Sequence, residues 1–193
     1  MELSAKEFEL VNSPMLKLIQ KKVEIPLFKK MGFNPENKSV LEIGCGSGYG
    51  ALLISAENPE SYIGIDLMPE QIQIARERSI DDSEFRVMDA TDLSYFPDES
   101  KDIIVIFRIL HHIPEWKNTI KECYRVLKPN GKIYLTEPYG LGTRLIDRIL
   151  KLDHPKEAMF SAKAFNRFLE TSGFEVKKRY RMFFFAACGK KIK

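Results

Sequence analysis

The sequence predicts an α/β protein with a largely parallel sheet that helices cover on both faces. Apolar segments of strand length alternate along the chain with segments of helical period, and this alternation is typical of doubly wound sheets. A length of 193 residues with 44% hydrophobic side chains is enough for one domain with a real core. We therefore expect a single domain.

The elements follow from hydrophobic period and turn chemistry. Strands are predicted at 39–44, 62–67, 84–89, 101–107 and 132–137, with helices at 69–80 and 115–127, a helix that begins at Ser161, and a last strand pair at 174–180 and 182–188. The turn Pro129-Asn130-Gly131 should end the helix at 115–127, with the glycine supplying the positive dihedral angle.

A leader precedes the first strand. Its apolar residues recur at near-helical spacing, which predicts one or two helices interrupted at Pro26. These residues are Met15, Leu16, Leu18, Ile19, Val23, Leu27 and Phe28. Between Tyr139 and Phe160 a second amphipathic stripe is a candidate cap over the site.

Charge, cysteine pattern and apolar runs argue against several classes of protein. The net charge is +3, so a polyanionic partner receives little support. The cysteines Cys45, Cys123 and Cys188 are odd in number and lack metal-ligand spacing, which argues against a disulfide framework and a metal site. The first residues are too polar for a signal peptide, and the apolar run 182–188 is too short to span a bilayer. We expect a soluble protein of the reducing cytoplasm.

The most informative stretch is the end of the first predicted strand. Glu42-x-Gly44-x-Gly46-x-Gly48 leads from that strand into a helix, and Asp66 ends the second strand. A glycine turn at a helix start, followed by a carboxylate that can grip a ribose, is typical of a site for a nucleoside-bearing cofactor.

Glycine spacing narrows the choice of cofactor. The dinucleotide fingerprint G-x-G-x-x-G would need glycine at position 49 or 51, where Tyr49 and Ala51 stand, and no Lys-Ser/Thr follows to form a phosphate loop. Glycines at every second position instead let the backbone closely approach a ligand that lacks phosphates. An acidic residue nearby suits a cationic group on such a ligand.

Taken as a set, these motifs resemble the class I S-adenosylmethionine-dependent methyltransferases, and most closely the small ubiquinone/menaquinone-biosynthesis-like (type 11) group. The set also includes Val87-Met88-Asp89-Ala90, Ile109-Leu110-His111-His112-Ile113 and the turn at 127–132. The resemblance extends over about residues 36–188. The resemblance implies a Rossmann-like seven-stranded sheet with an antiparallel last strand. It also implies S-adenosyl-L-methionine as cofactor, with S-adenosyl-L-homocysteine as product. The domain would comprise a helical leader (1–35), a cofactor-binding half (36–138) and a cap and substrate-side half (139–193).

The resemblance further implies cofactor contacts, each with a structural alternative. Asp66 is expected to accept both ribose hydroxyls, and Glu42 to contact the ammonium unless it is a structural strand-end residue. Asp89 would take the adenine amino group, with the Ala90 amide on a ring nitrogen, although it could instead cap a turn. Leu67 and Met68 would sandwich the adenine, or pack in the core. The remaining residues predicted to contact the cofactor are Gly44, Cys45 and Gly46 in the glycine turn and Phe107 at the end of the fourth strand.

No catalytic residue is assigned from the sequence. His111 and His112 follow the fourth strand, where either could deprotonate an acceptor near neutral pH, or could instead cap the next helix or pack under the sheet. Arg108 should pair internally, with Glu137 as the suggested partner, or receive an acidic substrate.

The phrase Phe107-Arg108-Ile109-Leu110 lacks the Asn/Asp-Pro-Pro-aromatic pattern of nucleic-acid amino-methyltransferases, so a nucleic-acid acceptor is disfavoured. We expect a small-molecule acceptor and a monomer or homodimer. A methyltransferase acting on protein or RNA, and a non-catalytic partner subunit, remain alternatives.

Overall fold

The computed structural model describes residues 5–138, 160–180 and 184–192. The predicted cap between Tyr139 and Phe160 therefore lies outside the described residues, apart from Phe160 itself. No helix in the described part of the chain has the length and apolar character needed to cross a bilayer.

Helices and strands alternate as the hydrophobic pattern predicts. The strands are β1 (Ser39–Ile43), β2 (Ser61–Asp66), β3 (Ser83–Val87), β4 (Lys101–Phe107), β5 (Leu127–Pro138), β6 (Phe174–Tyr180) and β7 (Phe184–Lys191). The helices are α1 (Ala5–Val11), α2 (Pro14–Ile19), α3 (Ile25–Lys30), α4 (Tyr49–Ser55), α5 (Pro69–Glu77), α6 (Trp116–Val126) and α7 (Ala162–Thr171).

The seven strands form one sheet in the order β3-β2-β1-β4-β5-β7-β6. Strands β1 to β5 pair in parallel, and β7 lies antiparallel between β5 and β6. This confirms the predicted doubly wound sheet with an antiparallel last strand. The strand order reverses between β1 and β4, and the carboxyl ends of parallel strands meet at such a point, where ligands bind.

The core lies on both faces of the sheet because alternate side chains of each strand point to opposite faces. Leu41, Ile43, Ile104 and Ile106 pack with α6 and α7 on one face. Val40, Ile103 and Val105 pack on the other face with the leader, α4 and α5. Burial on both faces explains why β1 and β4 are nearly continuous apolar runs.

The leader differs from the expectation at Pro26. The chain stays helical from α2 to α3 through a π-helical segment, Gln20–Glu24, in which the Ile25 amide donates to the Gln20 carbonyl. A proline cannot donate to the carbonyl four residues earlier, and its ring clashes with that carbonyl in a regular helix. The wider turn before Pro26 relieves this conflict, so the helix does not break.

The segment Pro129-Asn130-Gly131 also differs from the expectation, because it lies within β5. Asn130, at a φ of 66°, carries the positive dihedral angle that was expected at Gly131. The glycine is instead needed for space, because a Cβ there would lie 2.8 Å from the Lys128 carbonyl oxygen. Strand β5 starts early, since Leu127 already pairs with Lys101, and a register shift follows before Lys132 pairs with Ile103.

Candidate functional site

The glycine turn after β1 adopts a conformation that other residues rarely adopt. Gly44, Gly46 and Gly48 have φ values of 68°, 51° and 77°, in the left-handed region. A Cβ at Gly44 would lie 2.6 Å from the side chain of Ile109, which follows β4. The turn therefore carries the chain into α4 while its backbone lies against the residues that follow β4.

Asp66 ties this turn to the residues that follow β2. Its Oδ2 accepts a hydrogen bond from the Gly46 amide and its Oδ1 accepts one from the Met68 amide, both at 2.9 Å. Burial raises the pKa of Asp66 despite these amide donors. The carboxylate thus holds both loops in place at the carboxyl edge of the sheet.

Two adjoining hollows open at this edge, and they share walls at Gly44, Asp66, Ile109 and His112. Their empty volumes, open solvent included, are about 730 and 680 Å³. Together they form one cleft along the carboxyl ends of β1, β2 and β4. We refer to them below as the first and the second hollow.

Every residue predicted from the sequence to contact the cofactor lies on a wall of this cleft. The first hollow is lined by Gly44, Asp66, Leu67, Met68, Asp89 and Ala90. The second is lined by Glu42, Gly44, Cys45, Gly46, Asp66 and Phe107. The fold therefore brings together residues that are distant in the sequence.

The side chains on the first hollow differ in exposure. Leu67 is 45% exposed at the hollow, so core packing does not explain it, whereas Met68 is half-buried on the same wall. Oδ1 of Asp89 accepts from both the amide and the hydroxyl of Thr91, at 2.8 Å each. Asp89 thus makes the turn contact that was its structural alternative, while it also lines the hollow.

Glu42 is a buried carboxyl on the wall of the second hollow. It is 2% exposed and accepts a hydrogen bond from the Tyr62 hydroxyl. Burial raises its pKa to about 8. A Cβ on Gly50 would overlap the Glu42 carboxylate, so the glycine in the first turn of α4 makes room for it.

Arg108 does pair internally, but the suggested partner is wrong. Its guanidinium contacts Glu24 of the leader, and Glu24 also accepts from the Thr136 hydroxyl at 2.6 Å. Glu137 is occupied elsewhere, because its two oxygens contact the Leu110 amide at 2.8 Å and His111 Nδ1 at 2.7 Å. Glu24 was missed because it lies in a helical leader 84 residues away in sequence.

The two histidines occupy different positions. His112 lines both hollows and is 9% exposed, with its ring centroid 4.2 Å from that of His111. His111 Nδ1 instead contacts the fully buried Glu137, whose pKa burial raises to about 8. His111 is thus a half-buried partner of β5, while His112 is buried on the wall of the cleft.

The leader both packs on the sheet and covers the cleft. Leu27 and Phe28 of α3 are buried in the core, and Phe28 stacks on Phe107 with ring centroids 5.3 Å apart. Residues 11–20 supply one wall of the second hollow, through Val11, Asn12, Leu16, Lys17 and Gln20. Most of these wall residues, and Gln71 of α5, belong to no recognisable sequence motif and were therefore not predicted as site residues.

A methyltransferase-domain family model (type 11) matches residues 41–135. The matched segment contains β1, the glycine turn, Asp66 and the cleft residues after β3 and β4. The chain belongs to the class I S-adenosylmethionine-dependent methyltransferases. S-adenosylmethionine is the cofactor of this family, and the family confirms the resemblance noted from the sequence.

Individual proteins that are similar to this chain are also named as methyltransferases. The chain is 30% identical over 161 residues to a protein of Mycolicibacterium smegmatis named "probable S-adenosylmethionine-dependent methyltransferase", covering 81% of this chain and 60% of that protein. It is 30% identical over 147 residues to the 27-O-demethylrifamycin SV methyltransferase of Amycolatopsis mediterranei, covering 70% of this chain and 53% of the enzyme. The chain thus spans a little over half the length of these relatives.

The fold has close structural neighbours. A crystal structure of a S-adenosylmethionine-dependent methyltransferase from Aquifex aeolicus superposes with a TM-score of 0.77 at 17% sequence identity, covering 98% of this chain and all of that one. At this identity the similarity concerns the fold.

The cleft offers groups that fit the charges, the hydroxyls and the base of S-adenosylmethionine. Two carboxyls, Glu42 and Asp66, suit its positive charges and its hydroxyls, and apolar side chains such as Leu67 suit its base. The glycine turn lets backbone approach a ligand closely, since a Cβ on Gly46 would have only the Gln71 amide oxygen within 4 Å among the described residues, at 3.9 Å. The site chemistry and the family cofactor therefore agree.

Proposed function

We propose that this chain is an S-adenosylmethionine-dependent methyltransferase whose acceptor is a small, partly apolar molecule. The observation that carries the proposal is the junction of the two hollows, where Gly44, Asp66, Ile109 and His112 form walls of both. A cofactor spanning the hollows would present its sulfonium at this junction. An acceptor would meet it beside Ile109 and His112.

The cofactor contacts proposed from the sequence keep their roles in this mechanism. Asp66 binds the ribose hydroxyls, and its two backbone bonds hold it in position for them. Leu67 and Met68 cover the adenine face. Asp89 accepts from the adenine amino group, and the Ala90 amide donates to a ring nitrogen. Glu42 contacts the ammonium. Gly44, Cys45, Gly46 and Phe107 line the methionine side.

The bound cofactor supplies a methyl group on a sulfonium, ready for in-line displacement by a nucleophile. The protein's own contribution is to hold the nucleophile close, aligned and shielded from water. Residues 11–20 of the leader cover the second hollow, and Ile113 and Pro114 make part of the first hollow apolar. Orientation and exclusion of water supply most of the acceleration in this proposal.

His112 is the proposed general base for an oxygen or nitrogen acceptor. It borders both hollows, whereas His111 is bound by Glu137. Glu137 also accepts from the Leu110 amide, so it fixes the 3₁₀ turn Leu110–His112 that carries the histidine. His111 and Glu137 are thus positioning residues in this proposal.

Two features favour a small acceptor over a nucleic acid. Arg108 lines the second hollow but is paired with Glu24, so its charge is compensated within the protein. The net charge of +3 is also modest for a protein that binds a polyanion.

The test is methyl transfer from cofactor carrying a labelled methyl group, using cell extract separated by size. We expect label in the small-molecule fraction, and reduced transfer by the Asp66→Ala variant at a cofactor concentration below saturation. Label only in protein or RNA would replace the small-molecule acceptor by a macromolecule. Cofactor binding without transfer to any fraction would favour a non-catalytic subunit.

A further inference from the structure

Gln71 is a buried amide on the wall of the second hollow. It lies in the first turn of α5 and is 1% exposed. Among the described residues, its Nε2 has no hydrogen-bond partner. A buried N–H group without a partner costs free energy, so an unmatched donor on a cavity wall points to an acceptor supplied by a ligand.

The leader orients this amide. Asn12, which follows α1, donates from Nδ2 to the Phe8 carbonyl oxygen at 2.9 Å and to Gln71 Oε1 at 3.4 Å. Asn12 thus contacts the oxygen of the amide, which leaves the NH₂ group as its unmatched part, and both residues line the second hollow. The contact joins segments 59 residues apart in sequence.

The charges around the hollow indicate which acceptor fits. The carboxyl oxygens of Glu42 and Asp66 on its wall can accept hydrogen bonds from a cationic group, such as an ammonium. Lys17 and the Gln71 amide, on the same hollow, are donors that favour an anionic group. An α-amino acid carries both groups on one carbon, so this wall is complementary to the amino-acid end of a ligand.

We propose that Gln71 binds the carboxylate of the cofactor's amino-acid end and that Asn12 is the positioning residue that turns the amide toward it. This inference rests on the proposed function, since it concerns the same cleft. It makes the leader part of the cofactor site through one side-chain contact. Loss of Asn12 should therefore weaken recognition of the carboxylate without removing a group that touches it.

The test compares two ligands by calorimetry: S-adenosylhomocysteine and its decarboxylated analogue, which lacks only the carboxylate. Gln71→Met keeps the side-chain volume and removes the donor. We expect it to weaken S-adenosylhomocysteine binding about 10-fold and to leave the analogue unchanged. Gln73→Met is the matched control, because Gln73 lies on the same helix but is exposed and contacts Glu77. It should change neither affinity.

Two further variants keep the test decisive if Gln71→Met folds poorly. Gln71→Glu retains an acceptor for Asn12 but sets a carboxylate against the ligand's carboxylate, so it should lower affinity for S-adenosylhomocysteine more than for the analogue. Asn12→Ala should produce a smaller loss of the same selectivity. Equal losses for both ligands, or no loss for either, would overturn the inference. Failure of the wild-type chain to bind either ligand would overturn the proposed function itself.

Discussion

Arg108 and Glu24 form an ion pair that joins the end of β4 to the π-helical segment of the leader. Glu24 is 1% exposed, and burial raises its pKa although the guanidinium opposes the shift. Arg108 itself has a φ of 51°, an uncommon conformation for a non-glycine residue, and its amide donates to the Thr136 carbonyl at 2.8 Å. The pair fixes the leader against the floor of the cleft.

Removing one member of this pair should destabilise the protein more than removing both. Arg108→Met leaves a buried carboxyl without its cation, and we expect a loss of about 3 kcal/mol in the free energy of unfolding. The double variant Arg108→Met/Glu24→Gln should recover part of that loss. Urea unfolding of both single variants and the double variant measures the coupling. Additive losses would show that the pair does not stabilise the leader.

Stability without ligand should decrease as pH rises from about 6 to 8. Burial raises the pKa of both Glu42 and Glu137 to about 8, so the folded chain holds protons that the unfolded chain has already released. A raised carboxyl pKa gives stability that is complete below the unfolded value and is lost as pH approaches the folded value. Each group should contribute roughly 1 kcal/mol per pH unit in this window. Glu42→Gln should reduce the slope measured by urea unfolding at several pH values, and an unchanged slope would contradict the shifted pKa.

Asp66→Ala should weaken binding of S-adenosylhomocysteine at least ~10-fold, because hydrogen bonds to an ionised carboxylate contribute roughly 1.5–3 kcal/mol each. Calorimetry measures the change. Asp81→Ala, at an exposed position beyond α5, is the control and should bind normally. Unchanged affinity in Asp66→Ala would remove the proposed ribose contact.

Gly44→Ala should destabilise the turn by about 2 kcal/mol. The φ of 68° disfavours alanine, and its Cβ would lie 2.6 Å from Ile109. In the Ile109→Gly background the steric part of this loss should disappear, because the Cγ atoms and the Cβ, which would lie 2.9 Å away, are all removed, while the backbone part remains. Thermal unfolding of the four proteins separates the two contributions. Equal losses in both backgrounds would show that Ile109 is not the obstacle.

His112→Gln should lower kcat by about 100-fold on an identified oxygen or nitrogen acceptor, without changing the affinity for S-adenosylhomocysteine. His111→Gln should act mainly through stability, because His111 contacts buried Glu137. Single-turnover assays alongside unfolding curves distinguish these effects. If neither substitution changes turnover, the general-base proposal fails.

Local patterns in the sequence predict much of the secondary structure and the conformation of the glycine turn. The alternation of strand and helix periods, the helix start at Ser161 and the glycine turn at Gly44 to Gly48 appear in the structure as expected. Each depends on neighbouring residues: side-chain period sets the element, and a positive φ requires glycine at a turn. The predicted site residues also line one cleft, because the carboxyl ends of β1, β2 and β4 meet where strand order reverses.

Tertiary structure decided the pairings and the course of the leader. The partner of Arg108 is Glu24 and not Glu137, and Asn12 contacts Gln71, because packing of the leader on the sheet sets which distant side chains meet. The helix passes Pro26 by widening into a π turn, which local propensity does not predict. Sequence period encodes elements through contacts between near neighbours, whereas these features depend on residues 59 and 84 positions apart that only the folded chain brings together.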